Sequence, residues 1–356
     1  MATGDVYTQG RIMFILSRLK YSQGFHQEAQ QKAIKAEQLL RQANLPDQAW
    51  LIGALTRRGW AHLRLGQAKP ALAATAEARQ LCLDTGDKPA LIECMNLLGS
   101  IQYFLLSDYE AADHSYENAL DLAQQIGHSS GASIIMNQGE VANMQGDYGR
   151  AKTKVEEALQ ITREAGDRMR ELSFMINLSE AQMRLGDYDT VVVNLTQVIA
   201  QAPTNWTYAP VAYLVLAEAY LGQGNIEEAL TAVQAADSFE ADDDPYNAGD
   251  SWRILGHIAF QMGQPIAPST TSDPSYTGDD CFARSLQIFT EIENKREQAI
   301  VLWQWAGYEL AHGDPITGKR MWQQARDIFV QLNLPLFVAR MDTEYSSTTT
   351  AVGGGS

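Results

Sequence analysis

The stretch Gly313-Asp314-Pro315-Ile316-Thr317-Gly318-Lys319 has the spacing of a phosphate-binding loop: a glycine, four residues, then glycine and lysine. In such a loop the backbone N–H groups cradle phosphate oxygens, and a Ser or Thr hydroxyl after the lysine holds magnesium. Here Arg320 stands in the place of that hydroxyl, and a helical pattern rather than a strand precedes Gly313. We assign no nucleotide to it and read it as a turn between helices.

The other residue types that do chemistry are scattered. His26, His62, His114, His128, His257 and His312 are never three or four residues apart, and none shares a short motif with a cysteine, so no zinc site is expected. Cys82, Cys94 and Cys281 are too few and too far apart for a disulfide framework or a CxxC pair, and are read as buried thiols in a reducing compartment. Asp242-Asp243-Asp244-Pro245 lacks the alternation and the glycine of a calcium loop and reads as a turn. No Gly-x-Ser-x-Gly elbow occurs, and carboxylates on helix faces define no acid–base pair. The expectation is a chain that is not an enzyme and carries no metal or cofactor. Sequons begin at Asn177, Asn194 and Asn205 and matter only in a secreted chain.

A formal net charge of −16 argues against nucleic acid and anionic membrane surfaces, which need a surplus of Lys and Arg. No apolar run reaches the roughly 18 residues that span a bilayer, and Ile12 to Leu16 is too short for a signal-peptide core, so a cytoplasmic protein is expected. The tail Gly353-Gly354-Gly355-Ser356 reads as an engineered linker and residues 1–4 as vector-derived, so a fragment of something longer is expected. Between them, 5–345 reads as one solenoid and 346–356 as a flexible tail.

What must position any functional residue is a ladder repeating about every forty residues. From the glycine that opens a turn, alanine recurs five and twelve residues on: Ala29 and Ala36 after Gly24, Ala71 and Ala78 after Gly66, Ala151 and Ala158 after Gly146, Ala229 and Ala236 after Gly224. Ala112 and Ala119 follow Ser107 in the same way. Apolar residues at three- and four-residue spacing on both sides of each turn predict paired amphipathic helices. Gly66, Gly146, Gly186, Gly224, Gly263 and Gly313 are expected to end first helices in the left-handed conformation. Gly59, Gly139 and Gly256 let backbones approach, and Tyr109, Tyr148 and Tyr188 fill gaps between hairpins. The ladder weakens at Val191 and Val198 and at Gly318, and the Pro-, Ser- and Asp-rich segment 264–280 reads as an exposed loop.

Gly139, Gly146-Asp147-Tyr148, Ala151 and Ala158 resemble the tetratricopeptide repeat, over about Asp5 to Tyr345. The resemblance implies an all-α, right-handed solenoid of about eight helical hairpins. The long repeats, with Leu-x-Gly-Asp-Tyr turns, are similar to the C-terminal sensor regions of bacterial multidomain signalling ATPases and regulators. In that family the first helix of each pair lines a concave wall, and the residue after its glycine points inward. Carried over, this gives Trp60, Glu140, Glu180, Glu218 and His257, with Met136, Asn143, Met144, Met183 and Arg184 around them. A line of three glutamates flanked by methionines implies a protein or peptide partner with a basic, partly apolar segment, and the acidic line argues against a chaperone-tail receptor. Two alternatives stand beside this: a small-molecule or signalling-peptide pocket lined by Trp60, Trp252 and His257, and self-assembly through an uncapped end face. Neither partner identity nor oligomeric state is legible.

Overall fold

The structure is a computed structural model that describes residues 3–353 apart from 45–46, 205, 239–243 and 268–274, with side chains described from 6 to 345. Asn205, Asp242, Asp243, residues 1–2 and the last three residues of the Gly-Gly-Gly-Ser tail lie outside the described residues. The described residues form seventeen helices.

The chain divides into two compact units, Met1–Met144 and Gln145–Ser356. The first holds α1 (Thr3–Ser22), α2 (His26–Ala43), α3 (Ala49–Arg64), α4 (Ala68–Thr85), α5 (Lys88–Phe104) and α6 (Tyr109–Ile126), and nearly all of α7 (Gly131–Gln145). The second holds α8 (Tyr148–Glu164), α9 (Arg168–Arg184), α10 (Tyr188–Gln201), α11 (Ala209–Gln223), α12 (Ile226–Asp237), α13 (Pro245–Met262), α14 (Gly278–Glu291), α15 (Lys295–His312), α16 (Pro315–Gln331) and α17 (Pro335–Gly353). The fold is an all-α solenoid.

Punctuation between helices is written as Gly-Asp. The glycine ends one helix, and the aspartate carboxylate accepts the backbone N–H three residues into the next, as at Asp87, Asp147 and Asp167. Ser107 takes the glycine's place in the third hairpin and is driven to φ 53°, where its Cβ is strained. Gly313 departs from expectation. Its φ is −113°, outside the left-handed region, because the Glu309 carboxylate folds back and accepts the Asp314 N–H at 2.7 Å, closing the turn by a side chain.

The alanine rungs are the packing residues. Ala29, Ala36, Ala71, Ala78, Ala112, Ala119, Ala158 and Ala229 are fully buried, and Ala151 and Ala236 nearly so. Where the ladder weakens, Val191 and Val198 occupy the same buried sites. A methyl group on Gly222 would lie 2.5 Å from the Tyr188 ring, and one on Gly99 would lie 2.6 Å from Tyr116, so each tyrosine fills the hollow opposite a glycine.

The segment 264–280 is not a free loop at its described ends. Ile266 and Tyr276 form an antiparallel bridge, with N–H···O distances of 2.9 and 2.8 Å, and Ile266 is buried. Helix α14 starts earlier than expected, at Gly278, behind a reciprocal cap between Thr277 and Asp280. Cys82 and Cys94 are twelve residues apart in sequence yet meet across the α4–α5 turn, their Sγ atoms 3.9 Å apart; both are free and buried, as is Cys281. The hydrogen bond with the Cys94 thiol, then burial, pushes Cys82 up, and the same hydrogen bond draws Cys94 down.

The second unit is tied back on itself by α17. Phe337 stacks on Phe329 at 4.7 Å and sits against Gly146, while Arg340 donates to the Gly146 carbonyl and lies 4.2 Å over the Tyr148 ring. Gly146 itself has φ 85°, and a Cβ there would meet Phe337 at 2.9 Å.

Candidate functional site

In the second unit the first helices of successive hairpins share a connected set of polar side chains. Helix α13 supplies the centre. Gly249 and Gly256 let α14 approach so closely that Phe289 and Phe282 pack on their backbones. That apolar contact occupies one face of α13, and a different stripe carries Tyr246, Asp250, Arg253 and His257 at spacings of four, three and four.

Arg253 is the hub, with 1% of its side chain exposed. Its Nη1 donates to Glu218 Oε1 on α11 at 2.7 Å and to Gln304 Oε1 on α15 at 3.2 Å, and its Nε donates to Asp250 Oδ1 at 3.0 Å. Arg184 on α9 reaches the same Glu218 oxygen at 3.4 Å. His257 contacts Gln304 Oε1 through Nε2 at 3.0 Å and the Tyr308 hydroxyl through Nδ1 at 3.1 Å. Tyr246 donates to Glu297 Oε1 at 3.1 Å, and Arg296 pairs with that carboxylate.

Burial would raise the Glu218 carboxyl, but Arg184 and Arg253 outweigh it and hold the group at about 2. Asp250 goes the other way: burial lifts it to about 6, against the pull of Arg253 and with the help of Glu297 and Glu218. Burial, reinforced by the Arg253 charge, lowers His257 to about 4, so the ring is neutral at pH 7. A neutral ring with Gln304 Oε1 as acceptor must carry its proton on Nε2 and accept from Tyr308 at Nδ1. Arg184, Arg253, Glu218 and Asp250 therefore neutralise one another, two cations against two carboxylates.

This corrects the expected line of glutamates. Glu218 is already occupied by two arginines and offers no spare charge to a cationic partner. Glu180 on α9 makes no ion pair among the described residues, though Arg184 and Tyr246 feel its field. Met183 does not line the wall. It is buried in a core cluster with Leu172, Val191, Leu195 and Leu216. The small-molecule pocket is not assembled as expected either: Trp252 packs edge-on against Tyr276 at 5.0 Å in a core cluster, whereas His257 is bonded to α15.

In the first unit, Trp60 packs half-buried beside Leu63 and Leu97, and Met136, 3% exposed, serves packing. Glu140 and Met144 are half-buried on α7, and the Glu140 charge helps raise the Tyr116 phenol, which burial already raises. Asn143 is buried with its Oδ1 lacking a hydrogen-bond partner. Asn137 donates to Asn96 Oδ1 at 2.8 Å, joining α7 to α5.

The sequence reading missed Arg253, Asp250, Gln304 and Tyr308. The available signal was the stripe on α13, where a charge falls three residues before the packing glycine Gly256. The apparent phosphate loop is the turn into α16: Asp314 accepts the N–H groups of Ile316 and Thr317 and the Thr317 hydroxyl, so those donors face a carboxylate rather than a phosphate. Among the described residues no group of three or more His, Cys, Asp or Glu could hold a metal ion, and no helix is long and apolar enough to cross a membrane.

A family model described as tetratricopeptide repeat matches residues 182–249, the stretch that carries Arg184 and Glu218. No curated protein matches the chain in sequence. Among solved structures, a Rap protein complexed with competence and sporulation factor is similar over 99% of this chain and 99% of that one, with a TM-score of 0.63 and 13% identity. NprR in complex with its cognate peptide NprX has a TM-score of 0.57 at 8% identity, covering 89% of this chain and 97% of that one. A signal transduction ATPase with numerous domains and a tetratricopeptide repeat sensor, from Pyrococcus horikoshii, has a TM-score of 0.57 and 14% identity over 81% of this chain. The chain spans 44% of that ATPase. At such identities the likeness is one of fold.

Proposed function

We propose that this chain, a tetratricopeptide-like repeat protein, is a non-enzymatic recognition module that binds a peptide or an extended segment of a partner protein on the inner helices of its hairpins. The observation that carries this reading is the network centred on Arg253. Its half-exposed members Arg184, His257 and Gln304, from three hairpins, are held in place around the buried Arg253, so a segment laid across them meets polar groups that are already ordered, which lowers the entropic cost of binding. The fold likeness to NprR, solved with its cognate peptide, supports the same reading.

The mixed charge of the wall changes the partner. With Glu218 neutralised, a basic side chain of the ligand is drawn to Glu180, and ligand carbonyls or carboxylates are drawn to Arg184, whose side chain remains 24% exposed. The chain works in this reading as the sensor region of a bacterial signalling protein, in a reducing cytoplasm suited to three free thiols.

The test is selection of random octapeptides on the full chain, followed by fluorescence polarisation of the enriched peptides. Glu180→Gln and Arg184→Gln are expected to weaken binding by tenfold or more, and Glu228→Gln, on the exposed face of α12, to leave it unchanged. Failure to enrich any peptide, or equal effects of all three substitutions, overturns the reading.

A further inference from the structure

We propose that Cys82 and Cys94 form a reversible disulfide when a hydroperoxide reaches them, a switch that locks α4 to α5 and so joins two successive hairpins covalently. The inference does not rest on the peptide-binding reading, and the Arg253 network lies in the other unit. Cys82 stands on α4, four residues before Gly86, which ends that helix at φ 71°, and Cys94 stands inside α5. Their sulfurs are 3.9 Å apart, so closing to the roughly 2.05 Å of a disulfide takes a movement of about 1.9 Å. Both belong to one core cluster with Ala36, Leu55, Ala78 and Leu91, whose packing keeps the two thiols together. Cys281, buried in the second unit, pairs with no other thiol among the described residues and serves as the internal comparison.

Access is gated by the end of α4. Cys82 is 1% exposed and Cys94 is fully buried, so an oxidant arrives only when the chain opens locally. The opening lies close at hand. Leu83, Asp84 and Thr85, the residues that finish α4 after Cys82, are all exposed. The Cys82 carbonyl is the acceptor for the N–H groups of Gly86 and Asp87 at the cap. Helix ends open at a much smaller free energy than the core they cover, and unwinding this one turn uncovers the Cys82 sulfur.

The chemistry balances with the hydroperoxide as the sole oxidant. The thiolate of one cysteine attacks a peroxide oxygen, the O–O bond breaks, and hydroxide or alkoxide leaves with the electron pair, giving a sulfenic acid. The thiolate of the other cysteine attacks that sulfur, the S–O bond breaks, hydroxide leaves and the S–S bond forms. The two thiol protons end on the departing oxygens. Two electrons pass from the sulfurs to the peroxide. The hydrogen bond between the two sulfurs helps the first step, because a neighbouring S–H that donates to a thiolate stabilises it. Dithiothreitol or a cellular dithiol reverses the link by exchange.

The experiment treats the full, reduced chain with hydrogen peroxide under native conditions, then counts free thiols and maps linked peptides by mass spectrometry. Two of the three free thiols are expected to disappear, with Cys82 linked to Cys94 within a single chain and both restored by dithiothreitol. Oxidation should raise the melting temperature by roughly 5 °C or more, because the cross-link removes freedom from the unfolded chain. Dithiothreitol should cancel that rise, whereas it leaves methionine sulfoxide formed alongside unchanged. Cys281→Ala should keep the rise, and Cys82→Ala and Cys94→Ala should each abolish it. The peptide map of the unaltered chain carries the test if either alanine variant fails to fold. Retention of all three thiols, sulfinic acid at Cys82 or Cys94 in place of the link, or a link between two chains or through Cys281 overturns the switch. A Cys82–Cys94 link that leaves the melting temperature where it was overturns the lock.

Discussion

Arg253 on α13 joins two carboxylates that lie on different helices, donating to Glu218 of α11 at 2.7 Å and to Asp250 of its own helix at 3.0 Å. Removing it strands Asp250 and leaves Glu218 with Arg184 alone, at 3.4 Å. Arg253→Met should cost about 3–5 kcal/mol, since breaking a buried pair leaves uncompensated charge. In a unit of this size that lowers the melting temperature by roughly 6–20 °C, at about 2–4 °C per kcal/mol. Adding Glu218→Gln to Arg253→Met should recover part of the loss. A double variant no more stable than Arg253→Met alone would show that Glu218 does not depend on Arg253.

Stability should turn on acid in a defined window. Glu218, ordinarily near 4.5 and held at about 2, contributes stability that is complete above pH 4.5 and lost as pH falls through 2. His257, lowered to about 4, contributes stability that is present above 6.5 and lost as pH falls through 4. Asp250, raised to about 6, has the opposite sign: its contribution is complete below 3.8 and lost as pH rises through 6. Between pH 4 and 6 His257 and Asp250 oppose each other, so urea midpoints should be nearly flat there. Below pH 4 the Glu218 contribution falls by about 3 kcal/mol at 1.36 kcal/mol per unit, together with those of Glu171, Asp280, Asp314 and Asp342, whose carboxyls are also held low, and Glu218→Gln should make that limb shallower.

Gly222→Ala tests the packing of the tyrosine that follows each turn. The added methyl would sit 2.5 Å from the Tyr188 ring, so the ring or the helix must shift, at about 1–3 kcal/mol. The double variant Gly222→Ala, Tyr188→Leu should be more stable than Gly222→Ala alone when both are followed by circular dichroism on heating.

Glu293 and Ser107 hold left-handed φ values of 57° and 53°. Replacing each by glycine removes the strain of a Cβ in that region and should stabilise by about 0.5–1 kcal/mol, the entropy of the more flexible unfolded chain offsetting part of the relief. Gly24→Ala, at φ 82° in open space, is the converse control and should destabilise.

Much of this architecture was legible in the sequence because close helix packing demands small residues at fixed spacing, and Ala29, Ala71, Ala112, Ala158 and Ala229 announce it. The site was less legible. Glu180, Glu218 and His257 were found by their position in the repeat, but repeat position says nothing about what faces a side chain. Glu218 looked like a free carboxylate because Arg253 lies thirty-five residues away, on another hairpin. Repeat position alone puts Met136 and Met183 in a groove, but a step of one residue turns a helix by about 100°, and both fall on the buried side. Gly313 looked like its homologous turns until Glu309 supplied the closing acceptor.

The return of α17 to the turn at Gly146 changes how the second unit should come apart. In an open array each hairpin touches only its neighbours, and melting proceeds inward from a frayed end. Phe337 and Arg340 bind residues about 190 positions earlier in the chain, so the last helix cannot fray without releasing the head of the unit. The free energy of that contact is shared by every hairpin between, which couples them into one cooperative block rather than a row of separable pieces.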